Sequence, residues 1–402
     1  MNTAVPSYTA DRGYTTVGLC FLVALLEGFD LQATGLAAPG IAGAFKLQPA
    51  QMGWMFSAGL LGLLPGAFVG GWLGDKFGRK NVLLVSVLLF GVFSLATAYA
   101  WDYSSLLGAR LFAGLGLGAA LPLLIALSSE AVAENFRSTA VSIAYCGVPL
   151  GGVLASLVSM LNAPAEWRLL FYIGGIAPLV VLPLLVACLT ESKAFGALGQ
   201  RTGDAERKLG IGDLFAGGYL GATLLLWVSC FFTLTVLYML LNWLPSLLVG
   251  KGLSRSQAGT VQLLFNLGGA LGPYLTGLLL DRARPRTSLA IVYPGLLVSL
   301  ALLALYDSFG VTIAAGFFAG YCALGAQLVL YSLAPKLYPT SIRATGVGTM
   351  VGVGRLGSIS GPLIAGQLLA AGYGASGVMG ASAPGLLIAA WGALALLKRK
   401  AA

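Results

Sequence analysis

Residues Gly71-Trp72-Leu73-Gly74-Asp75-Lys76-Phe77-Gly78-Arg79-Lys80 set four charges between two long apolar runs. A reduced copy, Gly277-Leu278-Leu279-Leu280-Asp281-Arg282, lies 206 residues further on. The same offset carries Ala109-Arg110-Leu111-Phe112-Ala113-Gly114 onto Ala315-Gly316-Phe317-Phe318-Ala319-Gly320. It also carries Arg137 onto Arg343, Thr139 onto Thr345, and Leu150-Gly151 onto Leu356-Gly357. One offset that aligns two charged loops and the apolar segments around them is the mark of an internal duplication. Two parallel repeats of this size are expected to rock about a site between them.

The composition says what surrounds those loops. Hydrophobic residues make up 58% of the 402 and charged residues 9%, where a soluble domain carries about 25%. The 57 glycines suit helices that pack closely in lipid. Twelve apolar runs reach span length, about 20 residues: 15–37, 53–74, 81–100, 104–129, 138–161, 169–189, 220–248, 257–280, 287–306, 310–334, 344–370 and 375–397. The polar N-terminus is followed by a full-length run without a clear cleavage site, so the first run is expected to be a membrane helix and not a signal peptide. The fold expected is an all-α membrane protein of twelve transmembrane helices. Residues 1–189 form one six-helix bundle, 190–219 a cytoplasmic linker and 220–402 a second bundle.

Basic residues set the orientation. With the N-terminus inside, seventeen Lys and Arg fall in inner segments and four, Lys46, Arg168, Lys251 and Arg255, in outer ones. Both termini are therefore expected to be cytoplasmic. The net charge of +9 is spread over short loops, which argues against a nucleic-acid surface. The chain has no His, and its five cysteines sit in apolar runs without CxxC spacing, so no metal site or cofactor is expected. No nucleotide-binding loop or catalytic triad is present, which points to secondary transport and away from an enzyme.

Four charges lie inside spans: Glu27, Asp30, Arg110 and Arg355. Each costs on the order of 2.5–3.5 kcal/mol at a helix centre and calls for a role. Glu27 and Asp30 share a helix face. Two carboxylates that close cannot both ionise cheaply in low dielectric, so they are candidates for a coupling proton. Arg110 is expected to reach Asp30, either to hold it ionised or as a structural pair between helices. Arg355 offers a planar fork matched to a carboxylate, the alternative being a tie between helices. The flanking Gly354 and Gly357 are expected to leave space beside it. Tyr145, Tyr238, Asn242, Asn266, Gln327 and Tyr331 are candidates to contact a substrate ring, or to bond between helices. Trp243, before Pro245, suggests a helix break.

The Gly71–Lys80 string reads physically as a tight glycine turn with an Asp75–Arg79 charge pair, within a loop rich in basic residues. It also resembles the signature loop of the major facilitator superfamily, GxxxDRxGRR, and Arg110-Leu111-Phe112-Ala113-Gly114 resembles that family's fourth-helix RxxxG. The resemblance covers the whole chain. It implies that Gly71, Asp75, Arg79, Arg137, Asp281 and Arg343 form a cytoplasmic gate. Glu27-Gly28-Phe29-Asp30 resembles the DGxD motif of the aromatic acid:proton symporter family, with Glu in place of the first Asp. Strings such as LLEGFDLQATGLAAPGI and RATGVGTMVGVGRLGSISGPL are similar to the 3-(3-hydroxyphenyl)propionate carriers of that family. The resemblance implies proton-coupled uptake of a hydroxylated phenylpropionate or benzoate across a bacterial inner membrane, by a protein working as a monomer with lipid as its solvent. The Gly147-Val148-Pro149-Leu150-Gly151-Gly152 stretch partly resembles a fifth-helix motif of antiporters and leaves efflux of a drug or metabolite as the alternative. A sensor on a transporter scaffold is the third reading, and the charged loops in both halves weigh against it.

Overall fold

A computed structural model describes residues 8–161, 166–191, 214–215, 219–282 and 285–398. Most of the linker expected at 190–219 lies outside them. The described residues form twelve α-helices and one short 3-10 turn, and no strand occurs among them. The helices are α1 Tyr8–Phe45, α2 Pro49–Phe77, α3 Arg79–Ala98, α4 Tyr103–Glu130, α5 Arg137–Leu161 and α6 Arg168–Cys188. The second set is α7 Leu220–Gly250, α8 Arg255–Asp281, α9 Pro285–Leu305, α10 Phe309–Leu337, α11 Thr340–Ala370 and α12 Gly374–Leu396. Eleven are long and apolar enough to cross a membrane. The twelfth, α11, has the length at 31 residues, but Arg343, Thr345, Thr349, Arg355, Ser358 and Ser360 dilute its hydropathy.

The duplication is visible in the helix boundaries. α2, α3, α4 and α6 begin at 49, 79, 103 and 168, and α8, α9, α10 and α12 at 255, 285, 309 and 374, each 206 later. Packing repeats in the same register. A Cβ on Gly62 or Gly66 would run into the backbone of Leu111 or Leu115, so α2 and α4 touch backbone to backbone. Gly268 and Gly272 meet Phe317 and Tyr321 in the same way, joining α8 to α10. Gly151 meets the Leu25 carbonyl between α5 and α1, as Gly357 meets the Phe231 carbonyl between α11 and α7. Small residues at such crossings let dispersion contacts and weak polar contacts hold helices together where lipid supplies no hydrophobic drive.

By contact, the chain divides into two compact units. One comprises Met1–Ala33, Ala58–Ala155 and Glu166–Asp204, the other Thr34–Ser57, Ser156–Ala165 and Ala205–Ala402. Inside the second unit the end of α1 and the start of α2 pack on the carboxy-terminal helices. Ser57 Oγ donates to the Ile359 carbonyl at 2.8 Å, and Phe56 meets the Trp243 ring edge-on at 5.0 Å between centroids. Trp243, 2% exposed, donates its indole N–H to the Pro362 carbonyl at 3.0 Å. The break expected at Pro245 does not occur, since α7 runs on to Gly250. Proline's missing N–H is tolerated in a membrane helix when neighbours satisfy the freed groups. Past the end of α7, Lys251 Nζ closes the end of α9 by donating to the carbonyls of Leu303, Ala304 and Tyr306 while pairing with Asp307 at 3.0 Å.

Candidate functional site

In the first unit the buried acid and the buried arginine meet. Asp30 on α1 is 0% exposed, and Arg110 on α4 is 3% exposed. Arg110 Nη1 donates to Asp30 Oδ2 at 3.0 Å and lies 3.4 Å from Oδ1. Oδ1 takes a second donor, the Ser94 hydroxyl of α3, at 2.5 Å. Glycines make the room: a Cβ on Gly174 of α6 would come within 3.0 Å of Ser94 Oγ, and Gly59 of α2 lies beside the guanidinium. The Arg110 guanidinium lies 5.5 Å from the Phe171 ring centroid, where the ring face attracts a cation. Its Nε finds no acceptor among the described residues. Glu27, one turn before Asp30, is also buried. Gly28 between them seats against the Val148 backbone of α5, and Gly147 and Gly151 meet α1 from the other side. The fifth-helix glycines are thus the floor on which the acidic turn of α1 rests.

In the second unit Arg355 of α11 donates from Nη1 to the Tyr238 hydroxyl of α7 at 3.0 Å. Gln327 Nε2 donates to the Tyr331 hydroxyl on α10, in the same unit, at 3.1 Å. A tyrosine hydroxyl that accepts one bond keeps its own proton to donate. The Arg355 guanidinium thus sits on one phenol O–H, and the same unit carries a second phenol on α10. The expectation that Gly354 and Gly357 open space beside Arg355 is corrected: they pack on Cys230, Leu234 and Phe231, and so bring α11 against α7. Asn242 and Asn266 each donate back to the carbonyl four residues earlier, Tyr238 and Gln262 respectively. Tyr145 belongs to the first unit and is 38% exposed.

The charged string at 71–80 is mostly helix. α2 continues through Phe77, and the turn is Gly78 alone, at φ +95, where a side chain is strained. Arg79 pairs with Asp75 at 3.6 Å and, more closely, with Glu130 at the end of α4. Glu191 accepts from the backbone N–H of Arg79 at 2.9 Å and of Lys80 at 3.1 Å, supplying an anion at the α3 N-terminus. Gly71 has nothing within 4 Å of a Cβ position. Arg137 and Glu134 form an exposed pair at 3.8 Å, and Arg343 Nε donates to Tyr338 O at 3.4 Å. Asp281 ends α8, and its side chain lies outside the described residues.

Sequence reasoning missed Ser94, Phe171, Glu130, Glu191, the Ser57 bond to Ile359 O and the Trp243 contacts with Phe56 and Pro362. A serine in an apolar run is too common to single out, and Glu191 reads as part of the polar linker at 190–219.

Known proteins place this geometry in context. The chain matches the sequence profile described as Major Facilitator Superfamily over residues 20–309 and 251–402. It is 53% identical over 400 residues, covering 100% of this chain and 98% of the relative, to the 3-(3-hydroxy-phenyl)propionate transporter of Escherichia coli (strain K12). Over 385 residues it is 38% identical to the gallate transporter of Pseudomonas putida, covering 89% of this chain and 85% of the relative. The fold resembles the crystal structure of the nucleoside transporter NupG, with a TM-score of 0.80 at 16% identity, covering 96% of this chain and 99% of that one.

Proposed function

The chain belongs to the major facilitator superfamily, and from that premise we propose that it imports an aromatic carboxylate together with a proton, as a secondary transporter and not an enzyme. The substrate is 3-(3-hydroxyphenyl)propionate or a related hydroxylated phenylpropionate or benzoate, in keeping with relatives named for such acids. It works as a monomer in a bacterial inner membrane, with both termini cytoplasmic by the placement of its basic residues. Its working halves are the repeats 1–189 and 220–402, joined by 190–219.

One observation carries the reading. The scaffold is duplicated, but the charges inside its spans are not. At the offset of 206, Asp30 aligns with Val236, Arg110 with Gly316, and Arg355 with Pro149. A scaffold role would be needed in both halves. A proton site and an anion site are each needed once. Asp30 takes the proton, with Glu27 as helper and Arg110 as the counter-charge that must be satisfied in each state. Arg355 holds the substrate carboxylate, and Tyr238 and Tyr331 supply donors for the acid or the ring hydroxyl. Tyr145, Asn242, Asn266 and Gln327 complete the ring contacts. Asp75, Arg79, Arg137, Asp281 and Arg343, with Gly71, act as the gate. The antiporter-like glycines of α5 have a packing role against α1, so nothing in them favours efflux.

The test is a substrate pair in which the carboxylate is replaced by a neutral amide. Wild type is expected to prefer the acid strongly, and Arg355→Gln to lose most of that preference. Arg355→Lys keeps the charge but not the fork and falls between them. Equal discrimination by wild type and Arg355→Gln would make Arg355 structural.

A further inference from the structure

Hydroxyl side chains on these helices have a default partner, the carbonyl one turn back. On α3, Ser86 donates to Val82 O and Thr97 to Phe93 O. Thr235, Ser299 and Thr312 do the same on α7, α9 and α10. Ser94 departs from this pattern. Its Oγ crosses to Asp30 Oδ1 on another helix, at 2.5 Å, in a place where both side chains are fully buried. Such a short bond to a carboxylate is charge-assisted and stronger than the local bond it replaces.

The donors around Asp30 restrict where a proton can go. Oδ2 faces the Arg110 guanidinium, which has only N–H groups and can accept nothing. Oδ1 faces the Ser94 hydroxyl at 2.5 Å, with Arg110 Nη1 farther off at 3.4 Å, and a hydroxyl can both donate and accept. We propose that Ser94 is a positioning residue for the proton step: it holds Asp30 as a carboxylate against Arg110, and it reverses when Asp30 takes its proton on Oδ1. In the reversed state the new Asp30 O–H donates to Ser94 Oγ, and the Ser94 hydroxyl turns to the Phe90 carbonyl, the default partner its neighbours use. Arg110 then faces a neutral acid and needs another anion. Its Nε, without an acceptor among the described residues, is a donor held ready for one.

Among the described residues the charged groups around Asp30 are few. Arg110 comes from α4, and Glu27 lies one turn earlier on α1. The α6 residues against the site, Phe171 and Gly174, carry no titratable group, nor does Gly59 of α2 or Val148 and Gly151 of α5. Removing the Ser94 hydroxyl therefore acts on Asp30 with little else to answer for a change. Loss of the donor costs the carboxylate more than the acid, because the bond to the ion is the stronger one. Uptake is then expected to persist to a higher external pH.

The inference rests on the reading of Asp30 as the proton site, and the experiment separates the two. Uptake of labelled 3-(3-hydroxyphenyl)propionate into proteoliposomes is followed over a series of external pH values for wild type, Ser94→Ala, Ser94→Thr and Asp30→Asn. Ser94→Ala is expected to move the pH of half-maximal uptake alkaline by about one unit, a tenfold change in proton occupancy or ~1.4 kcal/mol. Ser94→Thr, which keeps the hydroxyl, is expected to restore the wild-type midpoint. An unmoved midpoint in Ser94→Ala, with Asp30→Asn unable to accumulate, overturns the role of Ser94 and leaves the proton site standing. Full accumulation by Asp30→Asn overturns the proton site itself. Infrared titration of the carboxylic acid band in purified protein reads the same midpoint without transport. An unmoved band in Ser94→Ala overturns the proposal even if that variant is inactive.

Discussion

Asp30 and Arg110 pose a question that single substitutions cannot answer, because either one strands a buried charge. With the two side chains 0% and 3% exposed and 3.0 Å apart, Arg110→Gln leaves a carboxylate, and Asp30→Asn a guanidinium, buried without its partner. Breaking a buried pair in this way costs about 3–5 kcal/mol because it leaves an uncompensated buried charge, and removing both charges leaves none. The Ser94 bond and the Phe171 ring remain in Asp30→Asn, so the loss there is expected toward the lower end of that range. Arg110→Gln removes the only cation seen on Asp30 among the described residues and is expected toward the upper end. The assay is thermal unfolding of detergent-purified protein, paired with uptake in proteoliposomes. Both single variants are expected to melt well below wild type, and Asp30→Asn with Arg110→Gln to recover most of the difference. None of the three is expected to accumulate substrate against a gradient. Additive losses in the double variant would refute the pairing energetics, and accumulation by the double variant would make the pair structural.

The same contacts lead to further expected outcomes. Asp30→Asn is expected to keep exchange between preloaded and external substrate while losing gradient-driven accumulation, which counterflow in vesicles reads directly. Gly357→Ala places a Cβ against the Phe231 carbonyl and is expected to lower the melting temperature, while Gly71→Ala, with open space around it, leaves that temperature unchanged. Trp243→Phe keeps the ring contact with Phe56 but loses the bond to Pro362 O, and is expected to cost about 1 kcal/mol of stability by thermal unfolding. Glu191→Gln removes the anion from the α3 N-terminus, and hydrogen exchange at the Arg79 and Lys80 amides is expected to quicken.

The fold was legible because its determinants are local and repeated. Span length depends on consecutive apolar residues, and the 206-residue offset needs only a sequence compared with itself. α11 shows the limit: the run at 344–370 reads as a span by length, but its polar residues weaken the apolar signal. Helix ends were less legible. α2 runs past the apolar stretch through Asp75 and Lys76, since a helix keeps its backbone bonds in water as well as in lipid. The charged members of the site could be found because a charge in a span is costly wherever it lies. Their partners could not. Ser94, Glu130 and Glu191 are ordinary residues that matter through what the fold sets against them. The glycines beside Arg355 misled for a related reason, since a missing side chain reads equally as open space and as a surface for another backbone.

The central claim is import of an aromatic acid driven by protons, and one measurement addresses it directly. Purified protein in liposomes is given labelled 3-(3-hydroxyphenyl)propionate outside, with the outside acidic relative to the lumen. To separate carriage from passive entry of the neutral acid, protein-free liposomes are run in parallel. Accumulation above those liposomes that collapses when a protonophore removes the gradient is the predicted result. Uptake equal to that of protein-free liposomes, or protein-dependent uptake indifferent to the protonophore, would contradict the account.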